Sequence, residues 1–345
     1  MNTLMIIAMV LGILVVVRLM NVAQLASVLA GENEEEEQKR ADKSNAIGMM
    51  AFMAIGLVLM VYMTVKYQPL MLPEAASEHG KKTDFLLNIN FAVIGIVFIA
   101  TQIALFWFVY KYINDKSRRA LFYPDNHKLE IIWTVVPTIV LSALIVTGLR
   151  EWNQITQNHP KDGMKVQVYG YQFNWIARYS GPDNQLGRSF YKLISDDNPL
   201  GIDYSDPAAA DDIITKGNEM RLPKDVPVEF QFNSRDVIHS AYFPHFRTQM
   251  NCVPGMNTSF YMVPTISTSE MRKITENEKF DYVLLCNKIC GVAHYQMKMK
   301  VVIEDKSSFD TWLKGERPAI PAKTAEPTPA APTADAQQPV SANKM

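Results

Sequence analysis

The chain has 345 residues, 48% of them hydrophobic, with 34 basic against 35 acidic side chains and a formal net charge of −1. That length has room for two or more domains, and the near-neutral charge carries no sign of nucleic-acid binding. No Cys-x-x-Cys-His occurs, which excludes a c-type haem attached to this chain.

Charge is unevenly distributed. Apolar runs without a charged residue occupy 1–17, 46–65, 85–110 and 131–149. A helix needs about 20 such residues to cross a bilayer, so the last three predict membrane spans. The first run is interrupted by Arg18, after which Leu19–Gly31 continues uncharged. Val28-Leu-Ala30 resembles a cleavage site, but a secretory signal begins with a positive segment and none precedes Val17. A retained extra helix from about Thr3 to Leu29 is expected within residues 1–31, with Arg18 facing protein or snorkelling. Residues 32–84 then hold an acidic loop, a second span at about 46–65 and an outer loop. Glu34–Glu37 reads as a solvated turn between helices.

A helix hairpin is expected over residues 85–152. Its connection carries Lys111, Lys116, Arg118, Arg119 and Lys128, the densest short basic loop in the chain, which places that loop in the cytoplasm. Everything after Arg150 is then periplasmic. Glu130, in Leu-Glu-Ile-Ile-Trp-Thr, opens the last span, where a carboxylate complements the helix macrodipole.

Past Trp152 the texture changes. Residues 164–179, 226–232, 257–263, 282–285 and 296–304 alternate apolar and polar side chains and are rich in Val, Tyr and Phe. Short alternating strands between Pro, Gly and Asn signals predict a Greek-key β-barrel or sandwich over about residues 153–315. A polar excursion from Gly181 to Leu222 carries Asp196, Asp197, Asp203, Asp206, Asp211 and Asp212 and reads as a solvated insertion or a dock for a basic partner. Residues 316–345 are rich in Pro, Ala and Thr without periodicity and read as a disordered tail.

The chemistry concentrates in Cys286-Asn-Lys-Ile-Cys290-Gly-Val-Ala-His294-Tyr-Gln-Met297. Its donors stand at spacings of four, four and three: two thiolates, an imidazole and a thioether. Zinc accepts the first three, but the thioether selects copper. One blue-copper ion needs a single Cys, so a second thiolate suggests sulfurs bridging two coppers. That requires another imidazole, which His239 in Asp236-Val-Ile-His239-Ser offers. Taken singly, the donors have plainer readings: a Cys286–Cys290 disulfide, a core Met297, a structural His239. Cys252 reads as a small buried core residue.

Together these motifs resemble subunit II of the haem-copper cytochrome c oxidases, from about Phe85 to Glu304. The resemblance implies an α-helical membrane part followed by an all-β cupredoxin-like domain holding a dinuclear copper centre, CuA. Its ligands would be His239, Cys286, Cys290, His294 and Met297, with the main-chain carbonyl of Lys288 as the sixth. It implies electron entry from a c-type cytochrome near Phe173 and Trp175, and transfer to the haem of a partner subunit I that also carries copper B, beside other subunits. Glu130 would lie at the mouth of a proton-uptake path, in a bacterial inner membrane. The family usually has two spans, so the first two helices are additions. Lys288 replaces a Glu whose carboxylate binds Mg²⁺, making Mg²⁺ unlikely from this chain. Asn251 replaces an Asp, Met256 an Arg, and Phe173 the first of two tryptophans, which favours a donor tethered in a supercomplex over a diffusing one. None of the six histidines lies inside an apolar run, so oxygen chemistry belongs to another subunit. A membrane-tethered copper carrier and a quinol oxidase subunit II are the alternative readings.

Overall fold

The computed structural model describes residues 3–29, 34–113, 118–119, 121–157, 160, 162–215 and 217–319. The tail from residue 320 and Lys116 of the basic loop lie outside them. The chain divides into a helical unit, residues 1–72 with 88–139, and a β-rich unit, residues 73–87 with 140–345.

Four long helices lead the chain: α1 (Thr3–Leu29), α2 (Glu34–Met71), α3 (Glu78–Lys111) and α4 (His127–Thr156). The last three are long and apolar enough to cross a membrane. Their apolar side chains, such as Ile96, Ile139 and Val146, are exposed, as expected of helices solvated by lipid. Phe52 of α2 and Phe106 of α3 meet with ring centroids 6.3 Å apart. The acidic run is not a turn: Glu34 to Glu37 form the first turn of α2. Carboxylates suit a helix N-terminus, and Glu35 adds an i,i+4 pair with Lys39 at 3.9 Å.

The β-rich unit is a sandwich of two sheets. One contains β1 (Met164–Tyr171), β2 (Asn174–Tyr179), β3 (Ile213–Ile214), β5 (Val228–Ser234), β8 (Thr258–Met262) and β11 (Arg317–Pro318), in the order β11-β3-β2-β1-β5-β8. The other contains β4 (Glu219–Pro223), β6 (His239–Phe243), β7 (Thr248–Cys252), β9 (Tyr282–Cys286) and β10 (Lys298–Glu304), in the order β4-β10-β9-β6-β7. Strands β1 and β5 pair in parallel, as do β4 and β10; the remaining ladders are antiparallel. Alternation does its usual work: Val166, Val168, Phe230, Phe232, Leu284, Met299 and Val301 point inward and are buried. Two short helices, α5 (Thr268–Ile274) and α6 (Lys306–Leu313), flank the sheets. A capping box between Ser267 and Glu270 starts α5.

The stretch 164–179 is not one alternating strand. It is a hairpin, with Gln172 and Phe173 at its tip between β1 and β2. The aspartate-rich insertion is also less solvated than its composition suggests. Asp212 is fully buried and paired with Arg178 of β2, itself fully buried. Arg178 also donates to Gln167 Oε1 at 3.0 Å and to the Gly187 carbonyl at 2.8 Å. Asp203 and Asp206 both bind Arg188, and Asp206 accepts from the Ala208 N–H. Asp212 fastens the insertion to the domain, and Asp203 and Asp206 brace it from within.

A second fastening comes from the segment before α3. The Ala76 N–H donates to the His245 carbonyl at 2.7 Å, and the Ala76 carbonyl accepts from Thr265 N–H at 2.8 Å. Ser77 Oγ reaches the Phe246 carbonyl at 2.7 Å. Arg247 grips both oxygens of Asp84 at 2.7 and 2.8 Å and the Pro73 carbonyl at 2.6 Å. Residues 73–84 are therefore a strap that completes the β domain.

Two outcomes are expected. Arg178→Met leaves Asp212 buried without its cation and should cost about 3–5 kcal/mol in denaturant unfolding, whereas Arg178→Met with Asp212→Asn should cost clearly less. The second concerns His245, which packs edge-on against Phe280 and Tyr282. Burial, with the Arg247 charge beside it, pushes its imidazole down to about 4. The folded state thus binds fewer protons than the unfolded one, whose histidines titrate near pH 6.5. Its contribution is complete above about pH 6.5 and lost as pH falls toward 4, on the order of 2 kcal/mol after allowing for solvent screening. Thermal unfolding between pH 7 and 4 should show a smaller drop for His245→Phe than for the unaltered protein.

Candidate metal centre

Three strands of one sheet deliver the donors. His239 opens β6 and Cys286 closes β9, while β10 begins just after Met297. The ladder pairs Ala241 with Cys286 and Leu285 with Lys298, which brings both ends of the 286–297 loop to one edge. The Cys286 N–H to Met297 carbonyl bond, 3.1 Å, closes the neck, and Asn287 N–H to Ser240 carbonyl, 2.9 Å, ties it to β6.

The donors converge. Cys286 Sγ lies 3.8 Å from His239 Nδ1, 3.9 Å from Cys290 Sγ and 3.2 Å from the Lys288 carbonyl oxygen. Cys290 Sγ lies 3.6 Å from His294 Nδ1 and 3.7 Å from Met297 Sδ. Donors sharing one ion of copper or zinc size, nitrogen at about 2.0 Å and sulfur at about 2.3 Å, stand about 3.5–3.8 Å apart at tetrahedral angles. All five sequence-predicted side chains and the carbonyl therefore sit at metal-sharing distances. Cys286 and Cys290 are free thiols, and Cys252 is a third, buried at the β6–β7 register point opposite His239. Cys286 Sγ thus faces the His239 imidazole, and Cys290 Sγ faces the His294 imidazole and the Met297 thioether.

Electrostatics favour a cation here. Burial works against ionising either thiol. Cys286 is nevertheless held well below its ordinary range by His239 and by backbone hydrogen bonding at Ser240 and Lys288. Cys290 is pushed up by burial and by the charge on Cys286. Two thiolates this close cannot both ionise without a positive partner, and soft metal ions are such partners. With a thioether in the set, copper fits these residues better than zinc.

The surrounding shell is organised for the same end. His239 is fully buried, and its Nε2 meets Asp236 Oδ1 at 2.8 Å, which turns Nδ1 toward the thiols. Gly170 sits so close to His239 that a Cβ there would stand 3.0 Å from Cδ2. Gly291 has φ +142, and its Cβ would fall 2.8 Å from the Phe173 ring. Phe173 thus lies over the metal loop. Trp175, on β2 beyond the hairpin tip, is buried, with its ring centroid 6.0 Å from that of His239. Lys288, Asn251 and Met256 are exposed. Glu130 belongs to the other unit, in the first turn of α4, where His127 Nδ1 lies 3.1 Å away and Asn126 Oδ1 accepts from Leu129 N–H. Sequence reasoning passed over Gln172, whose only signal was its place between Tyr171 and Phe173.

Comparison with known proteins points the same way. The family model described as the cytochrome c oxidase subunit II transmembrane domain matches residues 64–150, and the one for its periplasmic domain matches 164–305. The alternative cytochrome c oxidase subunit 2 of Bradyrhizobium diazoefficiens is 35% identical over 68% of this chain and 80% of its own length. Cytochrome c oxidase subunit 2 of Cereibacter sphaeroides is 25% identical over 73% and 80%. A solved periplasmic domain of subunit II from Bradyrhizobium japonicum is 18% identical, covering 45% of this chain and 94% of that one with a TM-score of 0.30. The family models cover more than half of the residues, and the chain belongs to the cytochrome c oxidase subunit II family, with its membrane helices and its cupredoxin-like domain.

Proposed function

We propose that this chain is the electron inlet of a proton-pumping haem-copper oxidase and that it holds a dinuclear CuA centre. The observation that carries the reading is the convergence of His239, Cys286, Cys290, His294, Met297 and the Lys288 carbonyl. Two copper ions bound there would supply a one-electron store shared through sulfur. The chain's own part is to pre-place the donors and exclude water. Cys286, Cys290 and Met297 are buried, and Asp236 fixes the imidazole of His239. Phe173 would present the ring through which a c-type haem donor makes contact, and Trp175 would pack behind it against His239. The electron would then leave for the haem of a partner subunit I, which would carry copper B and the oxygen chemistry. A copper carrier outside an oxidase is disfavoured by the match to the family's transmembrane domain, and a quinol oxidase subunit by the assembled ligands.

The strap belongs to the β domain, so the loop between α2 and α3 would lie on the same side of the membrane as that domain. The basic loop before α4 would then be cytoplasmic in a bacterial inner membrane, with Glu130 and His127 at the mouth of a proton-uptake path. Residues 1–31 and the second span at about 46–65 would be retained additions to the two-span pattern, and residues 85–152 the hairpin that meets subunit I.

Copper content is the first test. Metal analysis and electron spin resonance of the full chain, which keeps the strap, should show an unpaired electron shared by two copper nuclei and no Mg²⁺ held by a side chain of this subunit. Lys288 brings a cation where Mg²⁺ wants hard oxygen ligands. One copper per chain, or zinc, refutes the reading, and Cys286→Ser or Cys290→Ser should abolish the shared signal. The second test concerns the donor. With Phe173 in place of an indole, a c-type donor held by the membrane assembly should outperform a diffusing one, since tethering raises effective concentration. Steady-state oxidase activity with soluble cytochrome c, across ionic strength, should stay below that of intact membranes. Equal rates, with Phe173→Trp changing nothing, defeat the tethered donor.

A further inference from the structure

The tip of the β1–β2 hairpin touches both of the segments that carry metal donors. Gln172 N–H donates to Asp236 Oδ2 at 2.8 Å, and Asp236 holds His239 through its other oxygen at 2.8 Å. The Gln172 side-chain amide donates to the Cys290 carbonyl at 2.6 Å. The next residue, Gly291, lies so close that a Cβ on it would stand 2.9 Å from Gln172 Nε2 and 2.8 Å from the Phe173 ring. One residue therefore bridges the His239 segment to the middle of the 286–297 loop. That loop is otherwise held at its two ends, by the Cys286–Met297 and Asn287–Ser240 backbone bonds and by the short turn at His294–Gln296. Its central residues are open to solvent: Ile289 is 84% and Val292 92% exposed. The Phe173 ring covers Gly291 between them, and Cys290 itself is 5% exposed. The hydrogen bond from Gln172 adds a directional contact that ties the Cys290 backbone to the hairpin tip.

We infer that Gln172 is a positioning residue: it clamps the Cys290 carbonyl to the hairpin tip and so holds the two thiols at their separation before any metal arrives. The clamp acts through the backbone of Cys290 and touches no donor atom. Its purpose rests on the copper reading, but its existence does not, and the two are tested apart. Loss of one such bond in a solvent-accessible loop should raise local opening about tenfold.

The experiment compares Gln172→Met, which keeps the length but cannot donate, with Gln172→Lys, which keeps a donor, in the full chain. In the metal-free protein, amide exchange at Gly291, Val292 and His294 should be about tenfold faster for Gln172→Met and within about twofold of the unaltered protein for Gln172→Lys. Strand β5 should exchange at its original rate in both. After copper loading, the electron spin resonance couplings to the Cys290 protons should change in the Met variant and be restored in the Lys variant. Unchanged exchange in Gln172→Met overturns the clamp. So does equal acceleration in β5, which marks general unfolding, and so does a Lys variant as loose as the Met variant. If exchange behaves as expected but no two-copper signal forms in any version, the clamp stands and the copper reading fails.

Discussion

Two sulfur atoms held 3.9 Å apart without bonding to one another set the terms for the rest of this domain. Left free in an oxidising compartment, neighbouring thiols tend to pair, and buried together they resist ionisation. Holding them apart takes a rigid frame, and a four-residue spacing on a bare loop does not provide one. The frame is the register of β6, β9 and β10. One step of slippage in that ladder would turn Cys286 to the other face and open the neck closed by its N–H and the Met297 carbonyl. The buried aromatic and aliphatic side chains of both sheets resist that slip.

Much of this centre was legible because most of it is local. Cys286, Cys290, His294 and Met297 lie on one loop, so their spacing nearly determines their proximity, and chemical softness selects among metals. His239 is 47 residues from Cys286. It was found through donor counting, and its place opposite the thiols comes from strand pairing that alternation alone cannot assign. The β-sandwich was legible from alternation, and the resemblance named it cupredoxin-like. The break of 164–179 into a hairpin was not legible, because period-two reasoning holds only while a strand continues, and the chain turns at Gln172 and Phe173.

The misread acidic stretches share a cause. Composition treats an aspartate as solvated, yet Asp212 is buried because Arg178, 34 residues earlier on β2, is buried with it. A desolvated carboxylate tolerates burial only against such a partner, and no window over the insertion contains that partner. Glu34–Glu37 failed differently: the run looked like a break between helices, whereas carboxylates suit the start of one. The strap at residues 73–84 was hidden for the first reason. Its partners, from His245 to Thr265, lie on the far side of two further helices in the sequence.

That separation has a consequence for how the protein is made. Ser77 and the Phe246 carbonyl it binds are 169 residues apart, with α3 and α4 between them. The strap leaves the ribosome long before the surface it completes. In the proposed topology it waits beside the membrane while the chain crosses inward and back and the second half of the domain is exported. Closing so large a loop is entropically slow. In the proposed topology, assembly of the domain is thereby timed by insertion of the helices: the strap's hydrogen bonds form only once the hairpin between its two halves has been threaded.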